Sequence, residues 1–396
     1  MDKIIFMKIK KIKPQKILNS RGDLTVEVIL ETEKGVFCSS APSGASAGKH
    51  EAKELNPEDA IKNIKEKIAP EIEGKSFKEP KEIDGLLVDL DGTEDKSKLG
   101  VNAVLPVSMA SFKAGAASEN LPLYKYIENV FQKESNLNID PAFNIINGGV
   151  HAGDGLGIQE FMAIPEGESL SEKIFKGAEI YKNLKEILRE SFGSGSTNLG
   201  DEGGFVPPLR ACQEVLEIIL AASKKAGVKS KIALDCAASQ FYQKGKYYLQ
   251  GTLFTKEGLV SFYKELLESY PIVSLEDPFA EDDWEAWEMI NSELPEGVLI
   301  IGDDLTVTNP ERIKKAKDYC SGLLLKPNQI GTVSEAVESF NLARSYNWKV
   351  MVSHRSGDTC DDFIADLAVG LGADFIKAGA PARGERTAKY NRLLEI

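Results

Sequence analysis

Ionisable residues close six successive short apolar runs in the C-terminal part of this 396-residue chain. The runs at 231–234, 272–275, 298–301, 323–325, 349–352 and 374–376 lead into Asp235, Glu276, Asp303, Lys326, the triplet His354-Arg355-Ser356, and Lys377. The steps between these positions are 41, 27, 23, 28 and 23 residues, each about one helix plus one strand. Six strands in a row therefore deliver a charged group to the same edge of a parallel sheet. In a closed barrel that edge is the mouth of the active site. Any one of these residues alone reads as a solvated charge opening a loop; six in order do not.

The first three are carboxylates. Converging anions need either protons or a cation, and an all-oxygen set with no Cys or His among its members favours a hard ion, Mg²⁺ before Mn²⁺ or Ca²⁺. The next groups are cationic: Lys326, Arg355 and Lys377. Arg355 beside Ser356 is equipped to make several hydrogen bonds to a phosphate. A metal on one side and three basic groups on the other suit an anionic substrate carrying both carboxylate and phosphate.

The chain has only three histidines, His50, His151 and His354, and two of them fall in candidate segments. His151 lies in Asn147-Gly148-Gly149-Val150-His151-Ala152-Gly153, where glycines permit close backbone approach. The pairs Gln159-Glu160 and Asp201-Glu202, the latter followed by Gly203-Gly204, add carboxylates in loop-like positions before the six-strand series.

The elements that position these residues have two rhythms. Residues 4–12 read as a first strand, and 24–30 with 35–38 as a hairpin. Ile61, Ile64 and Ile68 share a helix face, and 103–117 reads as a buried helix. The polar, irregular stretch at 134–140 marks a domain boundary, giving a smaller α+β unit over 1–134 and a larger one over 135–396. In the larger unit strands alternate with helices, which implies parallel strands in an α/β fold. Thr332 with Glu335, and more weakly Thr359 with Asp362, fit capping boxes, and Pro310 after Asn309 fits a helix start. Alternation alone does not separate a closed barrel from an open sheet. No Gly-x-Gly-x-x-Gly opens a helix after a strand, which weakens a dinucleotide-binding reading.

Composition narrows the function further. Lys plus Arg is 48 against 61 Asp plus Glu, a net charge of −13, so no nucleic acid is held by bulk charge. The longest uncharged stretch, 99–112, is 14 residues and contains Pro106, too short to span a membrane. The apolar patch at 4–7 is too short for a signal-peptide core. Five cysteines, an odd number with no Cys-x-x-Cys, suit a reducing compartment, and a cytoplasmic location is expected.

The ordered motifs resemble the enolase family, the phosphopyruvate hydratases of glycolysis. They run from Asn19-Ser20-Arg21-Gly22 through Pro42-Ser43-Gly44-Ala45-Ser46, Asn147-Gly148-Gly149 and Gly200-Asp201-Glu202-Gly203-Gly204-Phe205. They continue with Ser274-Leu275-Glu276-Asp277-Pro278-Phe279, Gly302-Asp303-Asp304, Leu325-Lys326-Pro327-Asn328-Gln329, Ser353-His354-Arg355-Ser356-Gly357 and Lys377-Ala378-Gly379. Each motif is moderately specific; the ordered set is very specific.

The resemblance implies an α+β capping domain followed by a modified (β/α)8 TIM-type barrel whose first units break the simple alternation. It implies reversible dehydration of 2-phospho-D-glycerate to phosphoenolpyruvate by a hydro-lyase with two Mg²⁺ per active site, usually a homodimer. Asp235, Glu276 and Asp303 match the first metal's ligands. Lys326 matches the base that removes the C2 proton, and Glu202 the acid that helps the C3 hydroxyl leave, with Glu160 beside it. His151, Gln159, Glu160, Ser353, His354, Arg355, Ser356 and Lys377 match substrate contacts. Ser43, in a segment that composition alone reads as a solvated linker, matches a second-metal ligand on a closing lid over about 41–50. A Lys or His base working beside Mg²⁺ is general for the enolase superfamily. Nearby cations are expected to lower the Lys326 pKa, as a base requires. Ala47 stands where the family's lid commonly has Thr, Pro106 where a helix has Gly, and Gln240 where Glu is common. Two other readings remain: a superfamily lyase acting on an unphosphorylated acid, and an enolase-like binding or structural protein with lost or secondary activity. The Ser353–Ser356 segment and Ser43 argue against the first, and the intact set of site residues against the second.

Overall fold

The computed structural model describes residues 7–44, 48–151 and 156–396. Residues 4–6 of the expected first strand, 45–47 of the lid motif, and Ala152-Gly153 lie outside the described residues.

Strands β1 (Met7–Leu18), β2 (Leu24–Thr32), β3 (Val36–Ser40) and, after a helical stretch, β4 (Ser76–Phe77) build an antiparallel sheet in the order β3-β2-β1-β4. In β1, Met7, Ile9 and Ile12 are buried while Lys8, Lys10, Lys11 and Lys13 point outward. The expected hairpin is β2–β3. Ile64 and Ile68 pack fully buried beneath this sheet with Val26, Val28 and Leu30.

The helix Val101–Glu119 joins the two halves of the molecule. Ala103, Val107, Ala110 and Ala114 recur at helical spacing and belong to the core of the small sheet. Leu105, Met109, Phe112 and Ala116, on the opposite face, belong to the core of the larger unit. A helix apolar all round is one that is buried all round. It continues through Pro106.

The larger unit contains β5 (Asp140–Asn147), β6 (Glu160–Pro165), β7 (Ser230–Asp235), and a small antiparallel sheet of β8 (Tyr242–Gln243), β9 (Lys246–Leu249) and β10 (Thr252–Phe254). It continues with β11 (Ile272–Glu276), β12 (Leu299–Gly302), β13 (Gly322–Leu325), β14 (Lys349–Ser353) and β15 (Phe375–Lys377). Strands β5–β7 and β11–β15 close into an eight-stranded barrel in the order β11-β12-β13-β14-β15-β5-β6-β7. Closure settles what alternation left open. β6 is antiparallel to both neighbours, and every other pair is parallel. Two helices, Leu170–Phe192 and Cys212–Lys225, follow one another between β6 and β7, so the first units do break the simple alternation. Ala142, Met162, Ile164, Ala233, Ile301, Leu324 and Met351 fill the barrel interior as one cluster.

Two strands were not anticipated, and two sequence expectations change. β5 and β6 carry no readable strand pattern, because Asn144, Asn147 and Glu160 are polar yet buried on strands with no solvated face. Glu160 is the first residue of a strand, not part of a loop. The Thr359–Asp362 capping box does not form: Asp362 is itself the N-cap of the helix Phe363–Gly370 and makes no side-chain cap bond, while Asp361 Oδ1, one residue earlier, accepts from the Phe363 amide at 2.9 Å. The Thr332–Glu335 box is reciprocated, with bonds of 3.1 and 3.0 Å. The same helix start ties the two units together, since Asp84 Oδ2 accepts from Ser334 N at 2.9 Å and Oγ at 2.6 Å. Among the described residues, no helix is long and apolar enough to cross a membrane.

Candidate active site

Strand direction explains how the site assembles. Because β6 runs against its neighbours, its first residue stands beside the last residues of the parallel strands. The register pairs Asn147 with Glu160, Glu160 with Asp235, and Asp235 with Glu276. Farther round the barrel, Ser353 pairs with Lys377. Asp303, Lys326 and His354 each follow directly on β12, β13 and β14. The expected strand-end groups therefore share one rim.

One cavity at that rim is lined by His151, Gln159, Glu160, Glu202, Asp235, Asp303, Lys326, Ser353, His354, Arg355, Ser356 and Lys377. Glu276 lies just beneath and reaches the cavity through Lys377. The Lys377 ammonium, fully buried, donates to both Glu276 oxygens at 2.8 Å and lies 3.4 Å from Asp235 Oδ2 and 3.1 Å from Glu160 Oε2. Burial opposes its charge, but Glu160, Glu276 and Asp235 outweigh burial and hold its pKa well up. Ser43 is not brought to these carboxylates. Its backbone pairs with Gly357, and its hydroxyl accepts from Asn19 Nδ2 at 2.8 Å.

Lys326 departs from expectation. Its ammonium forms an ion pair with Asp303. Burial works to lower its pKa, but Asp303 outweighs burial, and the net shift is upward. Arg355 and Lys377 do act downward as expected, but the Asp303 anion beside the ammonium outweighs them together with burial.

The acid side of the cavity is a carboxylate pair. Ligand atoms of His151, Glu160 and Glu202 all lie within 4.8 Å of one another. Burial, and then the charge of Glu202, push Glu160 well above the ordinary carboxylate range. For Glu202 burial acts the same way, yet the imidazoles of His354 and His151 outweigh it and the shift is downward. Asn144 Nδ2 also donates to Glu202 Oε2 at 2.7 Å. The two shifts are opposite in direction, so of the pair Glu160 holds a proton the more tightly.

The donor set fits a hard divalent cation. Asp235, Glu276 and Asp303 present only oxygens, and in the protein by itself each faces an ammonium, so positive charge is required there. On this side of the cavity the acids whose ligand atoms lie within 4.8 Å of one another, among the described residues, are Asp277, Asp303 and Asp304, so the expected ligand set is not itself drawn that close. Asp277 has a structural task there, accepting from the amides of Asp303 at 2.9 Å and Asp304 at 2.7 Å.

The sequence profile described as "Enolase, C-terminal TIM barrel domain" matches residues 136–396, and "Enolase, N-terminal domain" matches 9–127. The chain belongs to the enolase family. It is thus a lyase-type enzyme of the enolase superfamily, with a TIM barrel and a separate N-terminal domain.

Several residues that sequence reasoning missed shape this enolase-family site. Glu51 holds Arg355 by both oxygens, and Asn328 Oδ1 accepts from the same guanidinium at 3.0 Å. Gln329 Nε2 donates to Asp303 Oδ1 at 2.9 Å. Gln240, noted only as a departure, donates to Gln159 Oε1 at 2.6 Å, and Gln159 Nε2 donates to Asp235 at 3.2 Å. A glutamate at 240 has no proton to give to that oxygen when ionised. Arg386 lies buried beneath the 354–356 turn. Asn328 and Gln329 sit inside a quoted motif, which was a usable signal; Glu51 and Arg386 are charged residues on polar stretches and gave none.

Proposed function

We propose that this enzyme catalyses the reversible, Mg²⁺-dependent dehydration of 2-phospho-D-glycerate to phosphoenolpyruvate, a step of glycolysis and gluconeogenesis. The observation that carries the reading is that Lys326, the Glu202–Glu160 pair and the Arg355-Ser356 segment line one cavity. Dehydration across two carbons needs a base on one side, an acid on the other and a grip on the anion between them.

In this reading Asp235, Glu276 and Asp303 would hold one Mg²⁺ and Ser43 would contribute to a second. When bound, the two ions supply positive charge at the substrate carboxylate, where charge develops as the proton leaves. Lys326 Nζ, freed of the proton it shares with Asp303, takes the C2 proton. The C–H electron pair becomes the new C2–C3 double bond. The C3–O bond breaks as Glu202, replenished from Glu160, delivers a proton, and water departs. Lys377 is fixed to meet substrate carboxylate oxygens. Arg355, Ser353 and Ser356 bind phosphate, and His151, Gln159 and His354 orient the hydroxyl side. The reading also makes the enzyme a cytoplasmic homodimer or higher homo-oligomer; all five cysteines are free, which supports a reducing compartment.

The test is spectrophotometric: phosphoenolpyruvate formation from 2-phosphoglycerate with Mg²⁺, then with EDTA. Turnover that EDTA abolishes and Mg²⁺ restores is expected. No turnover by folded, Mg²⁺-loaded protein would point to a binding protein. Turnover of unphosphorylated acids alone would point to another lyase of the superfamily.

A further inference from the structure

One guanidinium joins the two loops that carry His354 and Glu202. Arg386, on the helix Gly384–Glu395, is fully buried. Its Nη1 donates to Arg355 O at 2.6 Å, and its Nη2 donates to Ser356 O at 2.6 Å and Asp201 O at 3.0 Å. Nη1 is also within hydrogen-bond distance of His354 Nδ1. Asp358 Oδ2 lies 3.7 Å from Nη1 and Glu385 Oε1 3.4 Å from Nε, so the buried charge is compensated from outside the cavity.

A guanidinium carries five donors and no acceptor. The imidazole nitrogen that faces it must therefore accept, and the ring proton must sit on the other nitrogen. That other nitrogen, Nε2, lies 3.5 Å from Glu202 Oε1 and finds no hydrogen-bond partner among the described residues. We propose that Arg386 is a positioning residue that fixes His354 as the Nε2–H tautomer and so aims a neutral N–H donor at Glu202 and at the oxygen leaving the substrate. The second part rests on the dehydration reading above. Neutrality has independent support: burial pushes the His354 pKa down to about 4, with the Arg386 charge acting the same way against the pull of Glu202. Without Arg386 the ring is free to adopt the Nδ1–H tautomer. It would then turn a lone pair toward the Glu202 carboxylate, and the departing oxygen would lose its donor.

The experiment is imidazole ¹⁵N NMR on the full-length wild-type chain. Its three histidines make assignment by His354→Gln direct. A single Nε2–H signal pattern for His354 is expected; Nδ1–H or a tautomer mixture overturns the proposal. The kinetic arm compares Arg386→Met with Arg386→Lys, because lysine is also a donor without an acceptor. Arg386→Met should mix the tautomers and lower kcat about 100-fold. Its KM should stay within about threefold of wild type. Arg386→Lys should keep the tautomer and most of kcat. A folded Met variant with an unchanged tautomer, or with no greater kcat loss than the Lys variant, contradicts the proposal. If Arg386→Met does not fold, the wild-type spectrum still decides the tautomer. If wild-type protein does not turn over 2-phosphoglycerate, the dehydration reading fails, and the spectrum still tests Arg386 separately.

Discussion

Both terminal nitrogens of Arg355 are occupied by Glu51. Nη1 donates to Oε2 at 2.9 Å and Nη2 donates to Oε1 at 3.1 Å, and both side chains are buried. This fork-to-fork geometry is the one a phosphate would use. Glu51 also accepts from Gly48 N at 3.2 Å, which ties the pair to the segment that follows Ser43. An incoming anion therefore meets a guanidinium whose charge is already shared with an internal carboxylate. Glu51→Gln keeps a single neutral acceptor and removes the competing charge. Inorganic phosphate should then bind about tenfold more tightly, ~1.4 kcal/mol. Calorimetric titration at fixed ionic strength reads this; equal or weaker binding by the variant would mean that Glu51 helps present Arg355 instead of blocking it.

Gly148 is held where nothing larger fits. A Cβ there would lie 2.2 Å from Ile158 O and 2.8 Å from Leu156 Cβ. Its amide donates to Gln159 O at 2.8 Å, so any shift moves the residue that touches Asp235. Gly148→Ala should cost about 3 kcal/mol of stability. Chemical denaturation measures the loss, and a variant as stable as wild type would show that this backbone gives way cheaply.

Asp84 should make stability fall as pH rises. Burial lifts its pKa from 3.8 to about 6, against hydrogen bonds from Ser108 and Ser334. The folded protein thus binds this proton more tightly than the unfolded chain does. The stabilisation is fully present below the unfolded pKa and is lost as pH rises to the folded one, about 3 kcal/mol in all. Asp84→Asn keeps the acceptor for Ser334 and cannot ionise. Unfolding curves from pH 4.5 to 7.5 should show wild type losing stability relative to the variant, with the variant more stable at the upper end. Parallel pH profiles would contradict the sign.

The sequence made the parallel part of the barrel readable because apolar runs ended abruptly in charge, at Asp235, Glu276, Lys326 and Lys377. Those breaks mark where a buried strand reaches the rim. β5 and β6 lacked that signature, since Asn144 and Glu160 bury polar groups that only their partners satisfy or neutralise: Asn144 bonds Glu202 at 2.7 Å, and Glu160 lies 3.1 Å from Lys377. Arg386 and Glu51 were illegible for a related reason. On Gly-Glu-Arg-Thr-Ala-Lys and His-Glu-Ala-Lys, charge reads as a solvated face, and burial is decided by loops more than 30 and 300 residues away respectively. Lys326 was read with the right neighbours and the opposite shift, because its partner in the protein alone is the Asp303 anion.

The central claim is that Lys326 and Glu202 act on opposite sides of one substrate. The most direct test is exchange of the C2 proton of 2-phosphoglycerate with deuterated solvent, followed by NMR alongside phosphoenolpyruvate formation. Lys326→Ala should abolish both exchange and dehydration, whereas Glu202→Gln should keep measurable exchange while losing dehydration. Exchange surviving in Lys326→Ala, or equal loss of both activities in folded Glu202→Gln, would contradict the account.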